Sequence, residues 1–259
     1  MMDSRLMEGK RGVVFGVANQ MSLAWGIAEQ IVAAGGQVAL TYVNEAVEKR
    51  VRPLAESIGA ELVLPCDVAR DLEIEALFAD LERAWGKIDF VVHSVAYAHR
   101  DDLKRPFSQT GRAGFALAMD ISVYSLVAIT RCAAPLMTEG GSILTLTYLG
   151  ARRAVPGYNV MGVAKAALES SVRYLAAELG EKGIRVNAVS SGPVKTLAAS
   201  AVANFQKKLR AMDGLSPLRR NVTQEEVGKA ALYLLSDLSS GVTGEIHFVD
   251  AGFNMVVSG

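Results

Sequence analysis

Short runs of β-branched and aromatic residues recur along the chain, bounded by glycine, proline or polar turn residues. Between them, apolar positions return every three or four residues. Read in order, residues 12–16 (GVVFG) form a first strand, and a helix over 23–34 is closed by Gly35 and Gly36. Residues 37–43 (QVALTYV) form a second strand. The polar segment 44–57 reads as a helix that must bend or restart at Pro53, because an interior proline loses a hydrogen bond and crowds the preceding turn. Further strands fall at 61–65, 88–93, 142–147, 185–189 and 245–249. Helices fall at 71–85, at 115–137, from Tyr158 to near Gly180, and at 223–237, the last opened by a capping box of Thr223 with Glu226. Segments 94–111 and 191–214 read as loops, the second with short helical turns.

Alternation of strand and helix forces parallel pairing, since each helical crossover returns the next strand in the same direction. The expected fold is α/β: a single Rossmann-type doubly wound domain over 1–259, with a seven-stranded parallel sheet flanked by helices. Ligands of such sheets sit at the carboxyl ends of the strands, so the residues there decide the chemistry. The first strand ends at Gly16, and VANQMS leads to Ser22 and a helix carrying Gly26, small residues that let a phosphate approach a helix amino end. The spacing is not GxGxxG. Asp67 follows the third strand, where a carboxylate can accept from an adenine amine, and Ser94, Val95 and Ala96 follow the fourth. The sixth ends in Ser191, Gly192, Pro193, Val194, Lys195 and Thr196, a turn placed for a nicotinamide amide.

Composition narrows the classes. At 259 residues and 51% apolar, the chain can bury a large core, and its 27 basic residues equal its 27 acidic ones, which removes the basic excess that nucleic-acid binding needs. Cys66 and Cys132 are isolated, so no zinc spacing or disulfide framework is expected; His93, His99 and His247 also lack ligand spacing, so no metal is expected. The opening residues carry no long apolar h-region, and no uninterrupted apolar run reaches about 18 residues, so no membrane span and a cytoplasmic location are expected.

The chemistry concentrates between 142 and 165. Tyr158 and Lys165 are seven positions apart, about 700° of helix rotation and about 10.5 Å of rise, which places them on one helix face. A phenol beside an ammonium suits proton donation, because a nearby cation lowers a tyrosine pKa. The motifs GVANQMSLAWGIA (16–28), CDVA (66–69), HSVAYA (93–98), TYLGARRAVPGYNVMGVAK (147–165) and SGPVKTLAAS (191–200) together resemble the short-chain dehydrogenases/reductases. Within that superfamily the chain is similar over nearly its whole length to the NADH-dependent bacterial enoyl-[acyl-carrier-protein] reductases. Most members of the superfamily place an acid tyrosine four residues before the lysine, but here that position is Met161, and tyrosine stands at 158. A ketone reductase protonates the oxygen on the carbon that takes hydride. Reduction of an enoyl thioester instead delivers hydride to the β-carbon and develops charge on the more distant thioester oxygen, so a donor displaced by one helical turn, about 5.4 Å, fits.

The resemblance implies that Tyr158 stabilises or protonates the enolate, that Lys165 holds the nicotinamide ribose, and that Tyr148 is the second active-site tyrosine. It carries Gly16, Ser22 and Leu23 to the cofactor phosphates and ribose, Asp67 and Val68 to the adenine, and Ser94, Val95, Ala96, Val194, Lys195, Thr196, Leu197 and Ala198 to the nicotinamide end. Val43 stands where many members carry glutamine near the adenosine ribose, and Ala96 where many carry glycine. Ala98, Tyr148, Tyr158, Met161, Ala198 and Phe205 would bind substrate, within a substrate-binding loop around 194–212. NADH is expected over NADPH, because no arginine directly follows the second strand; Arg50 and Arg52 lie further along. The resemblance also implies an acyl carrier protein as partner, met by Arg152, Arg153, Lys195, Lys207, Lys208 and Arg210, and a homotetramer. Two other functions remain open at this point: a carbonyl reductase or alcohol dehydrogenase, disfavoured by Met161, and a non-catalytic dinucleotide-binding regulator, disfavoured by the retained Tyr148, Tyr158 and Lys165.

Overall fold

A computed structural model describes residues 5–194, 196 and 214–256. Its strands are β1 (Arg11–Phe15), β2 (Gln37–Tyr42), β3 (Leu62–Pro65), β4 (Phe90–His93), β5 (Gly141–Thr147), β6 (Ile184–Ser191) and β7 (Ile246–Val249). They form one sheet in the order β3-β2-β1-β4-β5-β6-β7, and every pairing is parallel. The order reverses between β1 and β4, and chains leaving these neighbours toward opposite faces leave a crevice at their carboxyl ends.

Each central strand buries both faces, so successive residues feed different cores. Val13, Phe15, Val91 and Ile143 pack with α3 (Asp71–Trp85), α6 (Ser125–Ala133) and α7 (Val160–Leu179) on one side. Val14, Phe90, Val92 and Leu144 pack with α1 (Leu23–Ala33), α2 (Glu45–Ser57) and the helix Gln224–Leu235, here α8, on the other. The capping box at the head of α8 is present: Thr223 Oγ1 accepts from Glu226 N at 3.1 Å, and a Glu226 oxygen accepts from Thr223 N at 2.9 Å. Beside it, Gln224 Nε2 donates to the carbonyls of Gln20 (2.9 Å) and Ser22 (2.6 Å), which ties α8 to the loop after β1.

Three local readings of the sequence are corrected. First, α2 does not restart at Pro53: it is one helix, with the proline on its exposed side, where water can satisfy the carbonyl that loses its donor. Second, the loop after β4 contains α4 (Arg100–Lys104) and a 3₁₀ turn at Phe107–Gln109. Third, the helix expected over 115–137 is composite: α5 (Arg112–Met119), a π-turn at Asp120–Tyr124, α6, and a 3₁₀ turn at Ala134–Leu136. That stretch, Arg112–Leu136, is long and apolar enough to cross a membrane by length and composition, with mean hydropathy 1.6 in its most apolar window. Half of that window is buried inside the domain, and α6 packs on α3 and α7.

Candidate active site

Parallel topology brings the predicted site residues to one edge. Gly16, Val43, Asp67, Ser94 and Tyr148 each stand within two residues of the carboxyl end of β1, β2, β3, β4 or β5. Gly16 has φ +96°, and a Cβ there would collide with the Ser94 carbonyl, so only glycine lets the ends of β1 and β4 meet in this way. Ser22 Oγ accepts from Ala18 N (3.0 Å) and Asn19 N (3.1 Å), folding the loop that delivers the chain to Leu23 and the amino end of α1. Asp67 is half-buried, with Oδ1 accepting from Ala69 N at 3.1 Å, and Val68 enters the core. Val43 is 52% exposed at the tip of β2, an apolar floor open to a ligand. Arg52 is spent beside it, donating to Glu48 (2.7 Å from Nε) and lying 6.0 Å over the Tyr42 ring. This edge fits a dinucleotide: a glycine turn at the switch point, a helix amino end, and small residues where backbone must be approached.

Around β5 the geometry differs from the simple helical reading. Tyr158 is not on α7. It sits in the turn before the helix, and Asn159, at φ +43°, separates the two, so Tyr158 and Lys165 are not related by a helical repeat. Tertiary contacts position the phenol instead. Asn159 Nδ2 donates to the carbonyls of Arg105 (2.7 Å) and Leu103 (3.2 Å), clamping the turn to α4. The Tyr158 ring meets Tyr148 edge to face, with centroids 4.9 Å apart and planes at 71°. Gly150 leaves room for both: a Cβ there would lie 2.5 Å from Tyr158 Cδ1 and 3.2 Å from Tyr148 Cδ1. Ala98 and Tyr158 pack against Leu103, Ala118, Val160 and Met161 in a small apolar cluster, which joins three of the residues expected to touch substrate.

Lys165 is 6% exposed and donates from Nζ to the Leu146 carbonyl at 2.7 Å. Burial lowers its pKa to about 8, against an upward pull from Glu169. The expectation that a cation lowers the tyrosine pKa is overturned. Burial, and then Tyr148, push the Tyr158 phenol well above its usual range, and burial raises Tyr148 as well. Tyr158 therefore stays protonated through neutral pH and acts as a neutral hydrogen-bond donor in an apolar niche.

Among the remaining expected residues, Val95 and Val194 pack against the two cores, Ala96 is exposed, and Thr196 is half-buried. Lys195, Leu197, Ala198, Phe205, Lys207, Lys208 and Arg210 lie outside the described residues, as does most of the 194–212 loop. Two of the basic residues expected to face a carrier protein have internal partners: Arg152 Nε donates to Glu169 Oε2 at 3.2 Å, and Arg153 donates to the Val256 carbonyl at 3.2 Å. Sequence reasoning missed Gly150, Asn159 and Ser122. The π-turn carries Ser122, whose Oγ accepts from Tyr97 N (3.0 Å) and lies 3.8 Å from Met161 Sδ, bracing the loop after β4 against the apolar cluster. The only sequence signal for the first two was glycine and asparagine flanking the tyrosines; a π-turn has none. A cleft of about 370 Å³ at the opposite edge of the sheet holds Lys10, within 4.0 Å of Asp89 and 3.8 Å of Asp237, far from this constellation.

Comparison with known proteins places the same residues in a known setting. Residues 16–254 match the family model described as enoyl-(acyl carrier protein) reductase. The chain is 56% identical over 253 residues to enoyl-[acyl-carrier-protein] reductase [NADH] 1 of Rhizobium meliloti, covering 98% of this chain and 93% of that one. A solved Anaplasma phagocytophilum enoyl-(acyl-carrier-protein) reductase in complex with NAD superimposes with TM-score 0.96 at 54% identity, covering 98% and 97% of the two chains. The Bacillus cereus enzyme, solved with NADP+ and an indole naphthyridinone, gives TM-score 0.96 at 52% identity, covering 98% and 100%. With a glycine turn at the sheet's switch point, paired tyrosines, a buried lysine, and a match spanning nearly the whole chain, this protein belongs to the enoyl-(acyl carrier protein) reductase family.

Proposed function

We propose that this chain reduces the 2,3 double bond of trans-2-enoyl thioesters on acyl carrier protein with NADH, the last step of the fatty-acid elongation cycle. We propose Tyr158, Lys165 and Tyr148 as the residues that do so. The observation that carries the assignment of roles is the placement of Tyr158. Its protonated phenol meets Tyr148 edge to face beside an apolar wall of Ala98 and Met161, while the usual carbonyl-reductase position holds a thioether. Bound NADH supplies the hydride. Gly16, Ser22, Leu23, Val43, Asp67 and Val68 would hold its adenosine and phosphate portion. Ser94, Val95, Ala96, Val194, Lys195, Thr196, Leu197 and Ala198 would line its nicotinamide end.

Hydride arriving at the β-carbon leaves negative charge on the thioester oxygen. Tyr158 donates a hydrogen bond to that oxygen, and because its proton is tightly held the bond is a stabilising contact with a neutral acid, strongest when charge is greatest. The enolate then collapses as its α-carbon takes a proton that comes ultimately from solvent, which completes the reduction. Lys165 would hold the nicotinamide ribose and lend positive charge there. Tyr148 fixes the Tyr158 ring by edge-to-face packing, worth about 0.5–1.5 kcal/mol beyond area burial. Ala98, Met161 and Phe205 would face the acyl chain and exclude water.

NADH oxidation followed by absorbance with a trans-2-enoyl thioester, beside the matching 3-ketoacyl thioester, tests the assignment. Turnover of the enoyl substrate alone is expected, with kcat/KM higher for NADH than for NADPH because Arg52 is committed to Glu48 and Tyr42. Turnover of the ketone would move the chain to the carbonyl reductases. Cofactor binding with no turnover of either would make it a regulator.

The acting species is a cytoplasmic homotetramer in this reading. Support comes from apolar side chains left on the outer faces of α5, the π-turn and α7, among them Phe115, Tyr124, Val163 and Tyr174, which a second copy can cover. Light scattering is expected to return about four times the 27.6 kDa chain mass; a monomer would refute it.

A further inference from the structure

Two buried ionisable groups beside Lys165 take no part in the chemistry above. One, His93, is fully engaged: its Nδ1 and Nε2 lie 2.8 Å from Thr145 Oγ1 and Ser125 Oγ, and burial, then the Lys165 charge, lower its pKa to about 3. It is a neutral core histidine. The other, Glu169, is 4% exposed and stands one helical turn beyond Lys165 on α7. Both its oxygens are fixed. Thr147 Oγ1 donates to Oε1 at 3.0 Å, and Arg152 Nε donates to Oε2 at 3.2 Å. Arg152 in turn lies 4.8 Å over the Phe248 ring, which leaves its side chain half in solvent and half against the domain.

We propose that Glu169 is a positioning residue for Lys165, and that the Arg152–Glu169 pair sets the pH range over which Lys165 carries the charge that holds the nicotinamide ribose. The proposal rests on the role given to Lys165 above. Glu169 follows Lys165 by one turn of α7, and the two reach adjacent residues of β5, Lys165 Nζ the Leu146 carbonyl at 2.7 Å and Glu169 Oε1 the Thr147 hydroxyl at 3.0 Å, so a buried carboxylate stands near a buried ammonium and favours its charged form. Among the described residues, the other titratable groups beside Lys165 are neutral near pH 8: His93 by depression, Tyr148 and Tyr158 because burial holds their protons on. Glu169 is the group whose charge opposes the desolvation of Lys165, and Arg152 weakens that help by pairing with it.

The two partners therefore act on Lys165 with opposite signs, which a purely structural ion pair would not do. Removing the carboxylate charge lowers the Lys165 pKa; removing the guanidinium raises it. Measured as the pH dependence of the NADH dissociation constant by fluorescence, affinity in the wild type is expected to weaken with an onset near the Lys165 pKa of about 8. In Glu169→Gln the onset moves down by about one unit, so that well above both onsets the NADH dissociation constant is about tenfold weaker than wild type. In Arg152→Gln it moves up, and Glu169→Asp returns it toward wild type. Coincident onsets in all three variants, or shifts of the same sign, overturn the proposal. If Glu169→Gln does not fold, Arg152→Gln decides alone: an upward shift supports the proposal, and no shift or a downward one overturns it. Wild-type affinity that stays constant from pH 7 to 10 would overturn the role of Lys165 itself, and this proposal with it.

Discussion

Tyr158→Phe is expected to lower kcat with a trans-2-enoyl thioester by about 10²–10³-fold, the loss seen when one donor to a developing oxyanion is removed from a preorganised site. The substitution deletes only the hydroxyl. The ring keeps its contact with Tyr148 at 4.9 Å and its place in the apolar cluster with Met161 and Ala98, so the turn and the fold should survive. Because the contact is made to charge that exists only in the transition state, kcat and kcat/KM should fall together, with the NADH dissociation constant within about twofold of wild type. A rise in KM at unchanged kcat would mean that the phenol merely binds substrate. The pH profile adds a check. Burial keeps the phenol protonated above its ordinary range, so loss of activity above pH 8 in the wild type belongs to Lys165, and Tyr158→Phe should retain that same alkaline limb on its residual activity.

Gly150→Ala is expected to reduce kcat/KM by about 10²-fold without touching any reacting atom, since misplacing a catalytic group by about 1 Å has that effect. The added Cβ would stand 2.5 and 2.8 Å from Tyr158 Cδ1 and Cε1, and 3.2 Å from Tyr148 Cδ1, so at least one ring must move. Gly150 does not have a positive φ, so alanine imposes no backbone strain there, and the cost falls on the tyrosine pair alone. The check is steady-state kinetics beside circular dichroism and thermal unfolding. Wild-type kinetics in a folded Gly150→Ala protein would mean that the two rings are not held in a required arrangement.

How much of this was legible in the chain depends on the range of the interactions involved. Periodicity and turn residues located all seven strands to within one or two residues at most ends, and the alternation with helices fixed their parallel sense, because those signals are local and repeat along the chain. Thr223 and Glu226 were readable as a capping box for the same reason: donor and acceptor lie three residues apart. Of the two outcomes expected at Pro53, a bend or a restart, the restart does not occur, because the proline lies on the face of the helix that meets water. The π-turn at Asp120–Tyr124 was invisible because its extra residue is accommodated by packing and leaves no mark on the apolar spacing.

The sequence by itself determined which residue types would gather at the carboxyl edge, since topology alone carries Gly16, Asp67, Ser94 and Tyr148 there, and the resemblance then named their roles. Only the tertiary structure decided how the chemistry is arranged. Helical arithmetic placed Tyr158 and Lys165 on one face, yet the chain turns at Asn159 through a left-handed conformation, stabilised by carbonyls of Leu103 and Arg105 more than fifty residues away. The same is true of protonation. Spacing suggested an acidified phenol, whereas burial holds the proton on Tyr158 and draws it from Lys165, because desolvation depends on what surrounds a group in space.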